Sequence, residues 1–343
     1  RFSVRRRGIV LLVWAVISAA AFAAVKRLSI DAVPDVTNVQ VNVVAQMSGL
    51  APEEIERQVT IPLERALNGT PSMIQMRSES LFGLSIIWCV FEDGADAFKA
   101  RTRVSERLLN AELPEGAEAR VAPDATPLGK VYYYRLVSDR HTLYDLRSEQ
   151  EWVVARTLKQ VPGVADVVGM GGYLKELHVE VDPARMAAYD LTLGDITAAL
   201  ERSNQNVGGG FQPHGDQQLV IRGIGYLRSA QDLEDVVLES EGGTPVTLAD
   251  VAKVIQAYTP RQGAVGYNDE RDIIEGIVLL RRGENPDTVL TALHAKIDEL
   301  NAEVLPEGMT IAPMYDRSAL IGITLHTVND NLLHGFVLIV AIV

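Results

Sequence analysis

The sequence predicts an α+β protein with transmembrane helices, and three observations lead to that prediction. An uncharged apolar run occupies residues 8–25, a second apolar run begins at residue 332, and the long stretch between them alternates strand-like with helix-like patterns. Apolar residues at every second position predict strands, and apolar residues spaced three and four apart predict helices. The fold class is therefore a mixed α/β region that lies between two membrane segments.

The first apolar run has Ser18 as its single polar side chain and follows three consecutive arginines at positions 5–7. As a helix it spans roughly 27 Å, close to the hydrocarbon thickness of a bilayer of about 30 Å. The small residues 19–24 also fit the cleavage site of a signal peptide, but the run is longer than the usual signal core of about 7–15 residues. We expect transmembrane helix 1 over residues 8–26. The arginines place its N-terminus in the cytoplasm, which puts residues 28–331 on the other side of the membrane.

The second apolar run, residues 332–343, is interrupted by His334 and Gly335 and stops at the last residue of the chain. As a helix it covers roughly 18 Å, which is too short to cross a bilayer. The sequence therefore predicts that residues 332–343 are the truncated start of transmembrane helix 2. A second membrane entry also favours an anchor over a cleaved signal for the first run.

The region after the first run predicts one split β-α-β unit. Strand patterns cover residues 39–47, 72–79, 84–91 and 119–123, and helical patterns cover 52–67 and 96–113. Pro52 at the start of the first helix and three glutamates in its first turns agree with helix N-terminal preferences. The order β-α-β-β-α-β is that of a ferredoxin-like fold.

The same order then recurs with an insertion. Strand patterns cover residues 131–138, 164–169, 174–181, 272–280 and 309–315, and helical patterns cover 143–160 and 285–300. The interrupting residues carry short helical patterns and a polar loop at 204–218 that contains three consecutive glycines, and we expect this loop to protrude. The predicted domains are 38–126 for the first unit, 127–181 with 262–318 for the second, and 182–261 for the inserted subdomain.

Charge and composition exclude several classes of function. Six of the 32 basic residues and none of the 45 acidic residues lie in the first 27 positions, so the rest of the chain carries a net charge of −19. Such an acidic body disfavours nucleic-acid binding. The single cysteine, Cys89, excludes an internal disulfide and a cysteine-rich zinc site, and its apolar surroundings predict a buried thiol. Phosphate loop, nucleophile elbow and dinucleotide fingerprint are absent from the sequence, so we do not expect an enzyme.

Several short motifs along nearly the whole chain are similar to those of one transporter family. In chain order they are Asp31-Ala32-Val33-Pro34-Asp35, Val39-Gln40-Val41, Gly49-Leu50-Ala51-Pro52-Glu53-Glu54, Gln58-Val59-Thr60-Ile61-Pro62-Leu63-Glu64, Phe91-Glu92-Asp93-Gly94, Pro123-Asp124-Ala125-Thr126, Leu146-Arg147, Val161-Pro162-Gly163-Val164-Ala165 and Tyr315-Asp316-Arg317. Together they resemble the N-terminal third of the heavy-metal efflux branch (cobalt-zinc-cadmium or copper-silver type) of the resistance-nodulation-division superfamily.

The resemblance implies a proton-driven secondary transporter that exports heavy-metal cations. It implies a homotrimer in the inner membrane of a Gram-negative bacterium, together with a periplasmic membrane-fusion adaptor, an outer-membrane channel protein and membrane lipid, and it implies no cofactor besides the transported cation. The two split units would be porter subdomains and the insertion a docking subdomain, with its 204–218 loop against a neighbouring subunit. Two alternatives stay open, a drug or lipid exporter of the same superfamily and a single-anchor periplasmic binding or scaffold protein. The aromatic content of 6% disfavours a drug exporter.

In this family the substrate path passes two strands of the second unit. A strand period of two predicts that Lys130, Tyr132 and Tyr134 share one face and that Asp166 and Met170 share one face. By resemblance, Asp166 matches an acidic metal ligand of zinc-type relatives, whereas Lys130 replaces a frequent glutamate and cannot bind metal while protonated. A carboxylate suits Zn²⁺ or Co²⁺ and a thioether suits Cu(I) or Ag(I), so the residues leave the metal open.

Other candidate ligands are more weakly indicated. Glu176 and His178 alternate with Glu180 on one strand face, which could line a cation path or form an ordinary solvated face. Met73 and Met76 are three residues apart in a strand pattern, which predicts opposite faces and favours core packing over a copper site. Proton relays need ionisable residues within the membrane, and residues 8–25 contain none, so the resemblance assigns that chemistry to later helices.

Overall fold

A computed structural model describes residues 6–25, 31, 35–215, 217–241, 244–261 and 263–342. The chain divides into two compact units. The first unit comprises Arg1–Arg140, Glu149–Met170 and Ile274–Val343, and the second comprises His141–Ser148 and Gly171–Ile273. Of the predicted motif at residues 31–35, the central three residues lie outside the described part of the chain.

The elements of the first half, in chain order, are α1 (Arg7–Val25), β1 (Gln40–Gln46), α2 (Pro52–Ile55, the π-helical turn Glu56–Thr60 and Ile61–Leu67), β2 (Met73–Leu81), β3 (Leu84–Phe91), α3 (Ala97–Leu108), β4 (Glu118–Val121), β5 (Lys130–Ser138), α4 (Leu143–Glu149, the π-helical turn Gln150–Val154 and Ala155–Leu158) and β6 (Val164–Met170). Those of the second half are β7 (Lys175–Val181), α5 (Pro183–Ala188), α6 (Leu193–Ser203), β8 (Val207–His214), β9 (Gln217–Gly223), α7 (Ala230–Glu234), β10 (Val237–Glu241), β11 (Thr244–Thr247), α8 (Leu248–Val251), β12 (Ala252–Tyr258), β13 (Ile274–Leu280), α9 (Pro286–Glu299, followed by the π-helical turn Leu300–Val304), β14 (Met309–Asp316) and α10 (Arg317–Ile342).

The first sheet has the strand order β2-β3-β1-β4, and α2 and α3 pack on one of its faces. Alternate residues of β1 are buried, as a strand with one covered face requires. The buried side chains form an aliphatic core around Phe91 and Cys89. Burial raises the pKa of the Cys89 thiol to about 11, so it packs as a small apolar side chain, as predicted.

A β-bulge in the first sheet changes one prediction from the sequence. The register of β2 against β3 shifts between Met73 and Gln75, so Met73 and Met76 both pack against the core while Ile74 is exposed. The prediction that the two methionines lie on opposite faces is therefore wrong, because the extra residue breaks the period of two. Their predicted role in core packing is confirmed.

The second sheet has the order β14-β5-β13-β6, the same arrangement as the first when the strands are counted within each unit. Both are split β-α-β topologies, with α4 and α9 packed on one face of the second sheet. The close approach of a tyrosine ring to the backbone of the neighbouring strand requires glycine at one position in this core. The Tyr134 ring lies directly over Gly276 on the neighbouring strand, and a Cβ at that position would come within 2.0 Å of the Tyr134 Cζ atom.

The strand Lys175–Val181 differs from its predicted place. It pairs with β12 in a two-stranded sheet of the second unit instead of extending the second sheet, so the division of the chain falls after Met170 and not at residue 181. The reason lies in Gly171 and Gly172, whose φ angles of 78° and 66° turn the chain away from β6.

The second unit contains two further strand pairs besides β7–β12. β10 pairs with β11, and β8 pairs with β9 as an antiparallel hairpin whose described residues are all exposed. The region predicted as a protruding loop at 204–218 is therefore mostly an ordered hairpin. The core of this unit lies between α6, α8, β12 and the start of β10, around Ile196, Leu248 and Val251.

Two apolar helices, α1 and α10, lie near the two ends of the chain. Arg317–Ile342 is long and apolar enough to cross a membrane, with a mean hydropathy of 1.3 in its best window, while the apolar segment Gly8–Ala21 of α1 is shorter. The helix predicted from residue 332 begins at Arg317 instead, because β14 runs directly into it. Its 26 residues span roughly 39 Å, because the helix includes the more polar residues that precede the apolar run.

Candidate substrate-facing sheet

The face of the second sheet opposite α4 and α9 carries three of the seven candidate residues, Lys130, Asp166 and Met170, and we call it the open face. Residues directly opposite each other in an antiparallel sheet point to the same side, so the register defines its members. They include Lys130, Tyr133, Arg135, Asp166, Val168, Met170, Glu275, Ile277, Leu279 and Tyr315. Ile277 at the centre is 9% exposed, whereas Val168, Met170 and Tyr315 are 39%, 46% and 40% exposed.

Lys130 lies on this face, but Tyr132 and Tyr134 do not. The register of β5 against β13 shifts so that Leu279 pairs with Lys130 and Val278 pairs with Tyr132. This bulge removes the expected alternation and places Lys130 on the side of Tyr133. The prediction that Lys130, Tyr132 and Tyr134 share one face is wrong for this physical reason.

Tyr132 and Tyr134 instead belong to the core beneath the helices. They are 3% and 0% exposed, and the Tyr134 hydroxyl donates a hydrogen bond of 3.0 Å to Oε1 of Gln150 on α4. Burial, with a contribution from Asp316 and Asp298, raises the pKa of Tyr132 to about 12. Side chains buried in this way stabilise the fold and are inaccessible to a substrate on the open face.

Asp166 is on the open face and is already paired. Its Oδ1 atom lies 2.5 Å from Nζ of Lys159, and the same oxygen accepts a hydrogen bond of 2.8 Å from the Val167 backbone amide. The carboxyl is 22% exposed. A metal ion could bind this carboxylate only by competing with the Lys159 ammonium.

Met170 shares the open face with Asp166, but the two lie far apart along the strand. Four residues of strand separate them by roughly 13 Å, a span that two side chains perpendicular to a sheet do not close. Met170 instead lies directly opposite Glu275 on β13, and Glu275 lies opposite Arg135 on β5. Cβ atoms of such neighbours are about 5 Å apart, so the thioether and the Glu275 carboxylate can meet one ligand.

Glu275 was missed from the sequence, although it left a signal. It is the single charged residue of an otherwise apolar strand, Ile274–Leu280, which is costly unless the carboxylate has a role. Partial burial raises the pKa of Glu275, and the positive charge of Lys130 offsets part of that rise. A carboxyl whose pKa is shifted by desolvation beside an open surface is a candidate functional group.

The open face therefore offers two separate places for a cation. One is Asp166 with its competing Lys159, and the other is Met170 beside Glu275. Within the described ranges, three or more His, Cys, Asp or Glu side chains nowhere come close enough to hold a metal ion between them. The face suits a transient contact with a cation better than a permanently bound one.

The remaining candidates, Glu176 and His178, lie on β7 in the second unit. Nε2 of His178 is 2.9 Å from Oε2 of Glu176, and the Thr259 hydroxyl donates a hydrogen bond of 2.5 Å to Oε1 of Glu176. These hydrogen bonds lower the pKa of Glu176. Both carboxylate oxygens already accept hydrogen bonds within the unit, which fits a satisfied strand surface.

Comparison with known proteins places the whole chain in one family. Residues 1–343 match the AcrB/AcrD/AcrF family. Protein HelA of Legionella pneumophila is 39% identical over 351 residues, which cover 100% of this chain and 33% of HelA. Cation efflux system protein CusA of Escherichia coli K12 is 39% identical over 91% of the chain and 30% of CusA. The cobalt-zinc-cadmium resistance protein CzcA of Cupriavidus metallidurans is 35% identical over 99% of the chain and 33% of CzcA.

A solved structure agrees with these relatives. The crystal structure of a heavy metal efflux pump superposes with a TM-score of 0.90 at 40% identity and covers 97% of this chain and 34% of the pump. The chain spans about a third of the length of the curated relatives that it matches. The resemblance inferred from the short motifs is thereby confirmed: the chain belongs to the AcrB/AcrD/AcrF family and, within it, to the heavy-metal efflux branch.

Proposed function

We propose that this chain is part of a transporter that exports heavy-metal cations and is driven by the proton gradient. CusA is by name a cation efflux protein, CzcA is a cobalt-zinc-cadmium resistance protein, and the similar crystal structure is that of a heavy metal efflux pump. The chain alone spans a third of their length, so transport is an activity of the complete protein.

Within that protein we assign α1 and the apolar part of α10 to the inner membrane of a Gram-negative bacterium. The residues between them, 28–331, then lie in the periplasm, with the basic N-terminus in the cytoplasm. The first and second sheets belong to porter subdomains and the second unit to a docking subdomain. We further propose a homotrimer that works with a periplasmic adaptor and an outer-membrane channel.

The observation that supports a cation substrate most directly is the open face of the second sheet. It presents a carboxylate, Asp166, and a thioether beside a second carboxylate, Met170 and Glu275. Oxygen and sulfur donors of this kind bind metal cations. CzcA is named for cobalt, zinc and cadmium. The open face combines carboxylates, which suit zinc and cobalt, with a thioether, which suits copper and silver. Both classes of metal are therefore substrates to test.

Growth of a strain that lacks the full-length gene tests this function. We expect the strain to lose tolerance to one or more of zinc, cobalt, cadmium, nickel, copper and silver, and to keep its tolerance to drugs. A plasmid copy of the gene should restore metal tolerance. Unchanged tolerance to all six metals would contradict the proposal, and loss of drug tolerance alone would favour a drug exporter.

The role of Asp166 is tested by two variants of the same ion pair. If Asp166 contacts the metal, Asp166→Ala lowers tolerance at equal membrane abundance, while Lys159→Ala keeps or raises it, because the carboxylate is then free of its competitor. Equal losses in both variants would show that the ion pair has only a structural role. Abundance is measured in each strain by immunoblot.

A further inference from the structure

The start of the long helix α10 is tied to the rest of the first unit by two consecutive residues, Asp316 and Arg317. Both belong to the motif Tyr315-Asp316-Arg317, which no part of the proposed substrate face uses apart from its tyrosine. Asp316 is the last residue of β14 and Arg317 is the first residue of α10. Strand and helix therefore meet without a linker.

Asp316 makes two contacts at once. Its Oδ1 atom accepts a hydrogen bond of 2.9 Å from the Ser318 backbone amide, in the first turn of α10, where a carboxylate satisfies free amides. Its Oδ2 atom lies 2.7 Å from Nε2 of His294 in the middle of α9. The His294 ring in turn packs edge-on against Tyr132 of β5, with centroids 5.7 Å apart.

Arg317 makes a second connection. Its side chain is 6% exposed, its Nη1 donates a hydrogen bond of 2.7 Å to the Leu128 carbonyl before β5, and its Nε lies 3.6 Å from Oδ1 of Asp31. A guanidinium is costly to bury unless it is paired, so these contacts hold it at this position. Asp31 and Leu128 come from two different segments of the chain, and both are thereby fixed to the helix start.

The helix that begins here continues without a break to the apolar run. From Arg317 to residue 332 it rises roughly 22 Å as a stiff rod. At the other end of the connection, β14 is hydrogen-bonded to β5, and β5 to β13, which carries Glu275 of the open face. A continuous path of hydrogen bonds thus joins the helix to the substrate-facing sheet.

We infer that Asp316, Arg317 and His294 are positioning residues for transport, which transmit movement of α10 to the second sheet. The inference rests on the proposed transport function. These side chains do not touch the substrate; they keep the helix start, α9 and β5 moving together. Loss of the connection should therefore slow the transport cycle and leave cation binding at the open face unchanged.

The test is the rate of metal uptake by vesicles that contain the full-length protein, measured against metal concentration. We expect His294→Gln, which leaves the Asp316 helix cap in place, to lower the maximal rate roughly 2- to 30-fold, the range seen when a coupling network is weakened. The concentration for half-maximal rate should not change. Asp287→Asn, which removes an exposed carboxylate in the first turn of α9, two turns from His294, is the matched control and should behave like the wild type.

Three results would overturn the inference. They are a maximal rate for His294→Gln equal to that of the wild type, a change in half-maximal concentration without a change in maximal rate, and equal loss in the Asp287→Asn control. Arg317→Lys supplies an independent second variant, because lysine keeps the charge but reaches fewer partners. A wild-type protein that moves no metal would overturn the proposed function, and the coupling with it, before any variant is compared.

Discussion

The first and second sheets have the same strand order, so their faces can be compared position by position. The helix-covered faces are alike, since both are apolar and fully packed. The opposite faces differ in chemistry. On the first sheet the register brings Asn42, Trp88 and Arg77 into one row, without a carboxylate beside a thioether. The second sheet places Met170 beside Glu275 and adds Asp166 two rows away.

Packing against the helices constrains the side chains on one face of each strand and leaves those on the other face freer to vary. Buried positions must be apolar because unpaired polar groups are costly there. Positions on the uncovered face are less constrained, so donors for a cation can occupy them, although partial burial makes a carboxylate such as Glu275 costlier than a fully exposed one. Similar folds with different open faces are therefore expected to differ in function.

The largest expected effect is a loss of stability caused by a substitution on the packed face of the second sheet. Gly276→Ala places a methyl group 2.0 Å from the Tyr134 ring, which is fully buried and cannot move aside. We expect a loss of stability of about 3 kcal/mol, the upper part of the range for overpacked cores, measured as a lower thermal midpoint of the purified protein. The double variant Gly276→Ala, Tyr134→Leu relieves the contact and should recover part of the loss. A midpoint unchanged by Gly276→Ala would contradict the close packing of these two residues.

A smaller effect concerns the open face and its response to pH. Partial burial raises the pKa of Glu275 above its ordinary value of 4.5, so this carboxyl takes up a proton at a higher pH than an exposed glutamate. Since the protonated form is a poor metal ligand, uptake by the wild type should fall as the pH is lowered towards the raised pKa, by up to about tenfold per pH unit below it. Glu275→Gln should reduce uptake at neutral pH and remove this part of the pH dependence.

The matched comparison for this prediction is Glu79→Gln on the exposed face of the first sheet. Its side chain is also a carboxylate on a strand, but it stands beside no thioether. Its pH profile should equal that of the wild type. Identical profiles for the wild type and Glu275→Gln would show that Glu275 does not contact the cation.

The sequence predicted most regular elements because their apolar periods are strong. The strand at residues 84–91 has the bounds that were predicted, and the order of elements in the first split unit is the predicted one. The strand at 175–181 was assigned to the wrong sheet, because strand pairing depends on contacts distant in sequence and the glycine pair at 171–172 gives no partner by itself.

The candidate site was predicted only in part, and the failures have one cause. Alternation assigns faces correctly until a bulge inserts a residue, and bulges at Val131 and Ile74 leave no clear mark in the sequence. Asp166 and Met170 were assigned to the same face, as the register shows, but their neighbours were not predictable. Lys159 beside Asp166 and Glu275 beside Met170 come from other segments of the chain and become neighbours only in the folded sheet.

Metal uptake by the full-length protein tests most directly whether the two sheets differ in function. The measurement compares the half-maximal metal concentration for Met170→Leu, on the second sheet, with that for Arg77→Gln, on the exposed face of the first. Met170→Leu keeps the volume of the side chain and removes its sulfur donor, so we predict a rise of about tenfold, corresponding to about 1.4 kcal/mol of lost binding, and no change for Arg77→Gln. Equal values for both variants and the wild type would contradict the assignment of cation binding to the open face.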